Sequence, residues 1–238
     1  MARRLFYVDT LARGRAELAG EAAQHLRKVL RAERGFQYEI SDNESLWLAE
    51  IEDFRRDAVT FKLLERLPLP PRAAEVHLYP ALIKFDAFEW MLEKTTELGV
   101  ASITPVYPLR TDKGLDQAAM KRMERWRRII LEAGQQSRRV PRPVLNPLCQ
   151  LGEALAQPAA QRLFCDEQSG AAPVLSILTK GAEPIAAIIG PEGGWDERER
   201  AAALSAGWQA VSLGPHILRA ETAACAVLAV LTAAACQR

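Results

Sequence analysis

The first part of the chain has a pattern of hydrophobic and polar positions that is typical of β-structure. Four segments between residues 4 and 67 are rich in β-branched and aromatic residues and are separated by short polar turns: "RLFYV", "FQYEIS", "LWLAEIEDF" and "AVTFKLLERL". One segment, "EAAQHLRKVLR", instead places Leu26, Val29 and Leu30 on one helical face and basic residues on the other. The pattern therefore predicts a small β-rich domain with one short helix.

The pattern changes near residue 70. The stretch "LPLPPRAAE" at 67–75 contains three prolines, which stiffen an extended connector. A composition of this kind is common at domain boundaries. We therefore expect two domains, one at residues 1–70 and one at residues 73–238.

From residue 75 onward, strand and helix patterns alternate. "EVHLYPALI", "SITPVYP", "RLFCDE", "PIAAIIG" and "QAVSLG" have the character of strands. Between and after them lie helical patterns, among them "FDAFEWMLEKTTELG", which Gly99 ends, the long basic "QAAMKRMERWRRIILEAGQQS", and a last helix from about Glu221. This alternation predicts an α/β domain whose parallel sheet is covered on both faces.

The charges are balanced overall but unevenly distributed. The formal net charge is +1, yet residues 1–34 carry eight basic and four acidic side chains, and residues 110–142 carry ten basic and four acidic ones. Two basic segments on a neutral chain favour a polyanionic partner. Solvated helix faces would give the same charge pattern, so charge alone leaves both interpretations open.

Neither a metal site nor a membrane segment is predicted. The four cysteines lack CxxC spacing, and the three histidines are scattered along the chain. The N-terminus "MARRLFYVDT" lacks the apolar run of a signal peptide. The longest apolar stretch, residues 222–236, is too short and too rich in alanine to span a bilayer. We therefore expect a cytoplasmic protein without metal.

Two glycine-containing loops carry the candidate chemistry. "IIGPEGG" and "VSLGPHILRAET" each follow a predicted strand and precede a predicted helix, where α/β sheets collect ligands. Neither GxxxxGK[ST] nor GxGxxG is present, and Glu192 would repel a phosphate. A neutral or cationic ligand fits these loops better. The alternative is a pair of tight turns that hold no ligand.

These motifs carry a family resemblance. "IIGPEGGWDERE" followed by "LGPHILRAETAACAVLAVL" resembles the C-terminal signature of the SPOUT methyltransferases, and within them that of the RsmE family of 16S ribosomal RNA (uracil-N3)-methyltransferases. Upstream, "ALIKFDAFEWMLEKTTELGVASITPVYPLRTD", "RWRRIILEAGQQSRRVPRPVL" and "HLRKVLRAERG" are similar to further segments of that family. The resemblance covers nearly the whole chain.

The resemblance implies a fold and an activity. The expected fold is an N-terminal PUA-like β-barrel that binds RNA, followed by a SPOUT α/β methyltransferase domain with a deep trefoil knot. The expected activity is methylation, with S-adenosyl-L-methionine, of N3 of a uridine in 16S ribosomal RNA of the 30S subunit by a homodimer. Two alternatives stay open: a non-catalytic RNA-binding ribosome-assembly factor of the same fold, and a small-molecule enzyme of α/β type.

The resemblance also assigns candidate site residues. Arg219 and Glu221 are the candidate catalytic pair, in which Arg219 would steady a uracil carbonyl and Glu221 would take the N3 proton or orient Arg219. A structural ion pair or a helix cap is the alternative for them. The candidate cofactor-binding residues are Ile189, Gly190, Glu192, Gly193, Gly194, Leu213, Gly214, Ile217, Leu218 and Thr222. The candidate RNA-binding residues are Arg3, Arg4, Arg27, Arg31, Lys84, Arg110, Arg138 and Arg139.

One local structure follows from the residues alone. Asp196 and Glu199 have the spacing of a capping box, in which each side chain bonds the other residue's backbone amide. We therefore expect Asp196 to be the N-cap of the helix after the first glycine loop.

Overall fold

The computed structural model describes residues 4–69, 74–108, 114–168, 170–179, 181 and 183–235. These residues form two compact units. The first unit holds residues 4–69 together with residues 134–142. The second unit holds the other described residues, from 74 to 235. The boundary predicted at 70–73 lies outside the described residues, and the return of 134–142 to the first unit was not predicted.

The first unit is built on a curled six-stranded sheet. Its elements are β1 (Leu5–Tyr7), β2 (Leu11–Ala12), β3 (Arg15–Ala19), α1 (Gly20–Lys28), β4 (Gln37–Ser41), β5 (Leu46–Phe54) and β6 (Ala58–Leu67). The strand order is β1-β4-β5-β6-β3-β2, and only the β1–β4 pair is parallel. Alternating apolar positions face a core that includes Phe6, Leu26, Ile40 and Phe61.

Helix α1 ends earlier than the hydrophobic pattern predicts. The amide of Leu30 bonds the carbonyl of His25, and the amide of Ala32 bonds that of Leu26, with Arg31 at a φ of 47° between them. Such bonds close a helix and turn the chain away. Leu26 is consequently buried, whereas Val29 is 64% exposed.

Residues 134–142 are held to the first unit by specific contacts. Arg138 forms a two-pronged ion pair with Glu39, a buried residue of β4. The hydroxyl of Tyr7 donates to the backbone carbonyl of Arg139, and the guanidinium of Arg142 lies 5.3 Å from the centre of the Tyr7 ring. Burial raises the pKa of Tyr7 to about 12, so this hydroxyl stays a donor at neutral pH.

The second unit alternates strands and helices as the pattern predicts. Its first elements are β7 (Val76–Pro80), α2 (Phe85–Leu98), β8 (Ser102–Ile103), β9 (Val106–Tyr107), α3 (Leu115–Gln136), whose last residues belong to the first unit, β10 (Val144–Leu145) and β11 (Cys149–Gln150). The later elements are α4 (Leu151–Leu155), β12 (Gln161–Cys165), β13 (Ala172–Pro173), α5 (Val174–Ile177), β14 (Ile185–Ile189), α6 (Glu197–Ser205), β15 (Gln209–Ser212) and α7 (Ala220–Ala235).

A seven-stranded sheet forms the centre of this unit. Its order is β10-β8-β7-β14-β12-β15-β13, and every pair in it is parallel. One buried cluster includes Leu78, Phe88 and Trp126, and another includes Trp208 and Phe164. The prediction of an α/β domain with a parallel sheet is confirmed.

The segment "SITPVYP" forms two strands rather than the single strand expected. Strand β8 pairs with β7 and β10, whereas β9 pairs with β11 in a separate small sheet. Pro105 lies between β8 and β9 and has no amide hydrogen with which to continue the ladder.

Candidate cofactor site

A cavity of about 790 Å³ lies within the second unit, where β12, β14 and β15 end. The carboxyl ends of neighbouring parallel strands meet at one edge of the sheet, so the two glycine-containing loops are brought together there. Nine of the ten predicted cofactor-binding residues line the cavity: Ile189, Gly190, Glu192, Gly193, Gly194, Leu213, Gly214, Ile217 and Leu218. The tenth, Thr222, is exposed on α7 and is outside the lining.

The first loop, residues 190–195, is closed by Trp195. This indole stacks on Phe164 with ring centres 4.7 Å apart, and its Nε1–H donates to the carbonyl of Cys165 at 3.0 Å. It also lies against Gly190, where an added Cβ would come within 2.9 Å of Nε1. The amide of Gly194, at a φ of 69°, bonds the carbonyl of Pro191. Glycine at 190 and at 194 therefore meets two different needs, close approach and left-handed backbone.

The helix after this loop begins as predicted. The Asp196 carboxylate accepts from the amide of Arg198 at 2.9 Å and from the amide of Glu199, and the Glu199 carboxylate accepts from the amide of Asp196 at 2.8 Å. Both bonds of the capping box are present, so the prediction for Asp196 is confirmed. The cap fixes the direction in which the chain leaves the cavity.

The second loop, residues 213–219, is held by fewer bonds. The Ser212 hydroxyl donates to the carbonyl of Gly214 at 3.0 Å. The carbonyl of Arg219 accepts from the amide of Ala223 in the first turn of α7. Between these ends, residues 214–217 are exposed, and Ile217 is 82% exposed although it borders the cavity.

The candidate catalytic residues lie where the second loop enters α7. Arg219 and Glu221 both line the cavity, Arg219 exposed and Glu221 half-buried. The structure thus places a guanidinium and a carboxylate beside the same space as the glycine loops. That arrangement provides a hydrogen-bond donor and a proton acceptor at one end of a ligand-sized cavity.

Residues from two further elements line the cavity, and the sequence did not predict that these residues belong to the site. The start of α2 contributes Lys84, which had been assigned to RNA binding, together with Asp86. The end of β12 contributes Cys165 and the two carboxylates that follow it, Asp166 and Glu167. Desolvation raises the pKa of the buried Cys165 thiol to about 12, so it is neutral at physiological pH. The available sequence signal was "CDE", in which two carboxylates follow the last residue of a buried strand.

The candidate RNA-binding residues are distributed over both units. Arg4, Arg27 and Arg31 are exposed in the first unit. Arg27 lies 5.7 Å from the Phe54 ring centre. In residues 134–142, Arg138 is engaged with Glu39, and desolvation lowers the pKa of Arg139. Arg3 and Arg110 lie outside the described residues.

Among the described residues, no group of three or more His, Cys, Asp and Glu side chains is arranged to hold a metal ion. The three histidines are separated in sequence, and each has a different environment. His77 bonds the Ser102 hydroxyl at 2.7 Å, His25 lies 3.5 Å from the Arg4 guanidinium, and His216 is exposed in the second loop. No helix in the described part of the chain has the length and apolar character needed to cross a membrane.

The chain is similar to known methyltransferases in sequence. Residues 70–232 match the model of the RNA methyltransferase domain. A ribosomal RNA small subunit methyltransferase E from Synechocystis sp. is 37% identical over 88% of this chain and 70% of that protein. The protein of that name from Mycobacterium bovis is 30% identical over 96% of this chain and 90% of its own length.

Solved structures show the same similarity. The ribosomal RNA small subunit methyltransferase E of Neisseria gonorrhoeae, bound to S-adenosyl methionine, superposes with a TM-score of 0.89 at 28% identity and covers 98% of both chains. A Legionella pneumophila protein with bound cofactor SAM gives the same TM-score and coverage at 30% identity. The two structures therefore resemble the chain along nearly its whole length.

Proposed function

The chain belongs to the ribosomal RNA small subunit methyltransferase E family, and from this premise we propose that it transfers a methyl group from S-adenosylmethionine to N3 of a uridine in 16S ribosomal RNA of the small subunit. The family identified from the two C-terminal motifs is thereby confirmed. The observation that carries the proposal is the cavity between the two glycine loops, because it combines those motifs with Arg219 and Glu221.

The residues present fit S-adenosylmethionine. A volume of about 790 Å³ is within the range of small-molecule sites. Backbone groups of Gly193 and Leu213 border the cavity where adenine and ribose would bind, and Ile217 and Leu218 offer apolar walls. The carboxylate of Glu192 favours a ligand with a cationic group over a phosphate.

When bound, S-adenosylmethionine supplies an electrophilic methyl group on a sulfonium. Uracil N3 carries a weakly acidic proton that must leave as the N3–methyl bond forms. We assign the Glu221 carboxylate as the acceptor of that proton. Arg219 donates hydrogen bonds to a uracil carbonyl oxygen, which gains negative charge as N3 is deprotonated. The base must leave its stack to reach this cavity, so the target uridine is unpaired or flipped out.

The first unit is assigned to RNA binding. Its support is the basic surface of Arg4, Arg27 and Arg31, which is exposed and suited to phosphates. We propose that the first unit, predicted as residues 1–70 and joined by residues 134–142, is a PUA-like RNA-binding domain, and that the second unit, predicted as residues 73–238, is a SPOUT methyltransferase domain with a trefoil knot. Family membership supports both assignments, and the curled six-stranded sheet supports the first. Action on the 30S subunit implies a cytoplasmic enzyme.

We further propose a homodimer that uses α7. One side of this helix packs in the core through Ala224, Val227, Leu228 and Leu231. Its other side carries small, half-buried apolar residues such as Ala226 and Ala229, which permit close helix approach. Light scattering at micromolar concentration should give twice the chain mass, and a monomer mass would contradict the dimer.

The test of function is methylation of defined ribosomal RNA. Small subunits from a strain that lacks this gene are incubated with the purified protein and radiolabelled S-adenosylmethionine, and the nucleosides are mapped by mass spectrometry. One labelled 3-methyluridine in 16S RNA is expected. RNA binding without methyl transfer would favour the non-catalytic assembly factor instead.

A further inference from the structure

Arg200 lies in the first turn of α6, outside every motif considered above, and its side chain is only 11% exposed. We propose that Arg200 is a positioning residue that locks the first glycine loop onto the end of β12 and so shapes the cofactor cavity. The inference rests on the proposed function, because the loop matters for catalysis only if the cavity binds S-adenosylmethionine.

All three guanidinium nitrogens of Arg200 are engaged. Nε donates to the two carboxylate oxygens of Asp166 at 3.2 and 3.0 Å. Nη1 donates to the backbone carbonyl of Trp195 at 2.9 Å and to Oε1 of Glu197 at 2.8 Å. Nη2 donates to Oε1 of Glu167 at 3.0 Å. The side chain thus bonds α6, the first loop and the segment after β12 together.

Two of these partners line the cavity. Asp166 and Glu167 directly follow β12, and both border the cofactor space. The Asp166 side chain is only 7% exposed, so its charge needs a partner. Arg200 supplies it and fixes the direction of both carboxylates.

The Glu167 carboxylate is confined from the opposite side as well. A Cβ added to Gly194 would lie 2.5 Å from Oε1 of Glu167, so this carboxylate rests directly over the first loop. Arg200 holds Glu167 in that position, and glycine at 194 leaves room for it. The loop and the carboxylate therefore have complementary shapes only while the guanidinium is in place.

A rival explanation is that Arg200 is an ordinary helix residue and that other contacts hold the loop. The capping box of Asp196 and Glu199 and the stacking of Trp195 on Phe164 do not involve Arg200. These contacts fix the start of α6 and the indole, but Arg200 is the cation that the described structure places beside Asp166 and the donor that it places beside Glu167. Only an Arg can reach Asp166, Glu167 and the Trp195 carbonyl at once, because its donors form a planar fork.

The experiment measures the affinity for S-adenosylmethionine by calorimetry in wild type, Arg200→Met, Arg200→Lys and a matched control, Arg198→Met. Arg198 lies two residues away on α6 and is exposed. We expect Arg200→Met to weaken binding about tenfold or more, Arg200→Lys to recover part of the loss, and Arg198→Met to bind like wild type. The affinity for small-subunit RNA should be unchanged in all four proteins.

Wild-type affinity in a folded Arg200→Met protein would overturn the inference, whereas failure of the wild type to bind would overturn the proposed function instead. If Arg200→Met does not fold, the double variant Asp166→Asn with Arg200→Met removes the unpaired charge. It should fold and still bind about tenfold more weakly, because the bonds to Trp195 and Glu167 remain absent. Restored wild-type affinity in the double variant would show that Arg200 only neutralises Asp166.

Discussion

The two glycine loops that face each other across the cavity are built differently. In the first, Trp195 stacks on Phe164 and bonds the carbonyl of Cys165, while Arg200 bonds the Trp195 carbonyl. In the second, a single serine hydroxyl bonds Gly214, and residues 214–217 are exposed. The first loop is therefore fixed by the protein itself, whereas the second has few contacts of its own.

This difference suggests that the two loops have different roles in cofactor binding. A preformed loop loses little conformational entropy when the ligand binds, and it can set the position of the ligand. In the second loop the Ile217 side chain is 82% exposed, so it gains apolar contacts only when a ligand or another protein surface covers it. We infer that the cofactor, together with the proposed second subunit, orders residues 213–219 and so brings Arg219 into place.

Gly190→Ala should disrupt the packing of the first loop. The new Cβ would meet Trp195 at 2.9 Å, and this indole is buried and cannot move aside easily. Overpacking of this kind costs about 1–3 kcal/mol, so thermal denaturation should show a clear loss of stability. Gly193→Ala is the matched control, because a Cβ there meets nothing within 4 Å. Equal stability of the two variants would contradict the tight closure of the first loop.

The chemistry is expected to depend on the second loop. Arg219→Lys keeps the charge but loses the planar fork, and turnover should fall about tenfold or more, or about 1.4 kcal/mol of transition-state stabilisation. Affinity for S-adenosylmethionine should change little. In Glu221→Gln, turnover should fall as well and recover partly as the pH rises, because solvent then helps to ionise N3. Normal turnover of this variant at every pH would exclude Glu221 as the base.

Ile217→Ser should weaken cofactor binding while leaving the stability of the free protein almost unchanged. Since the side chain is exposed in the free chain, the thermal midpoint should barely move. Affinity for S-adenosylmethionine should weaken about threefold to tenfold, because the lost apolar surface is covered only in the complex. Unchanged affinity would show that this residue stays exposed when the cofactor binds.

The smallest expected effect concerns the Cys165 thiol beneath the first loop. Its burial raises its pKa to about 12, so at pH 8 only about one thiol in ten thousand is ionised and maleimide labelling should be slow. Labelling should rise with pH up to that value, and it should be faster in Arg200→Met if the loop opens. Peptide mapping separates this site from the other cysteines. Rapid labelling of the wild type at pH 8 would contradict a closed loop.

The parts of the site that sequence predicted are those with local signals. Gly190, Gly214 and Asp196 stand beside strand and helix patterns, and their loops lie at the strand ends as expected. Arg200 gave no such signal, because its partners Asp166 and Glu167 are more than thirty residues away in sequence. Contacts between residues so far apart in sequence can be predicted only when the order of the strands in the sheet is known.

The same reason explains what was missed in the fold. Residues 134–142 pack on the first unit through contacts with Glu39 and Tyr7, which lie about a hundred residues or more earlier in the chain. The pattern of α3 predicts a helix but cannot assign its end to a different unit. Lys84 was predicted to contact RNA, and no local signal indicated that it lines the cavity just before α2; its contact with RNA stays a prediction.

Hydrogen exchange with and without S-adenosylmethionine can show whether this cavity binds the cofactor, because it measures the protection of both glycine loops in one experiment. We expect strong new protection at residues 213–219, a smaller change at residues 190–195, which are already bonded, and none at residues 4–69. Protection confined to the first unit, or no change at either glycine loop while the cofactor is bound, would contradict the assignment of this cavity as the cofactor site.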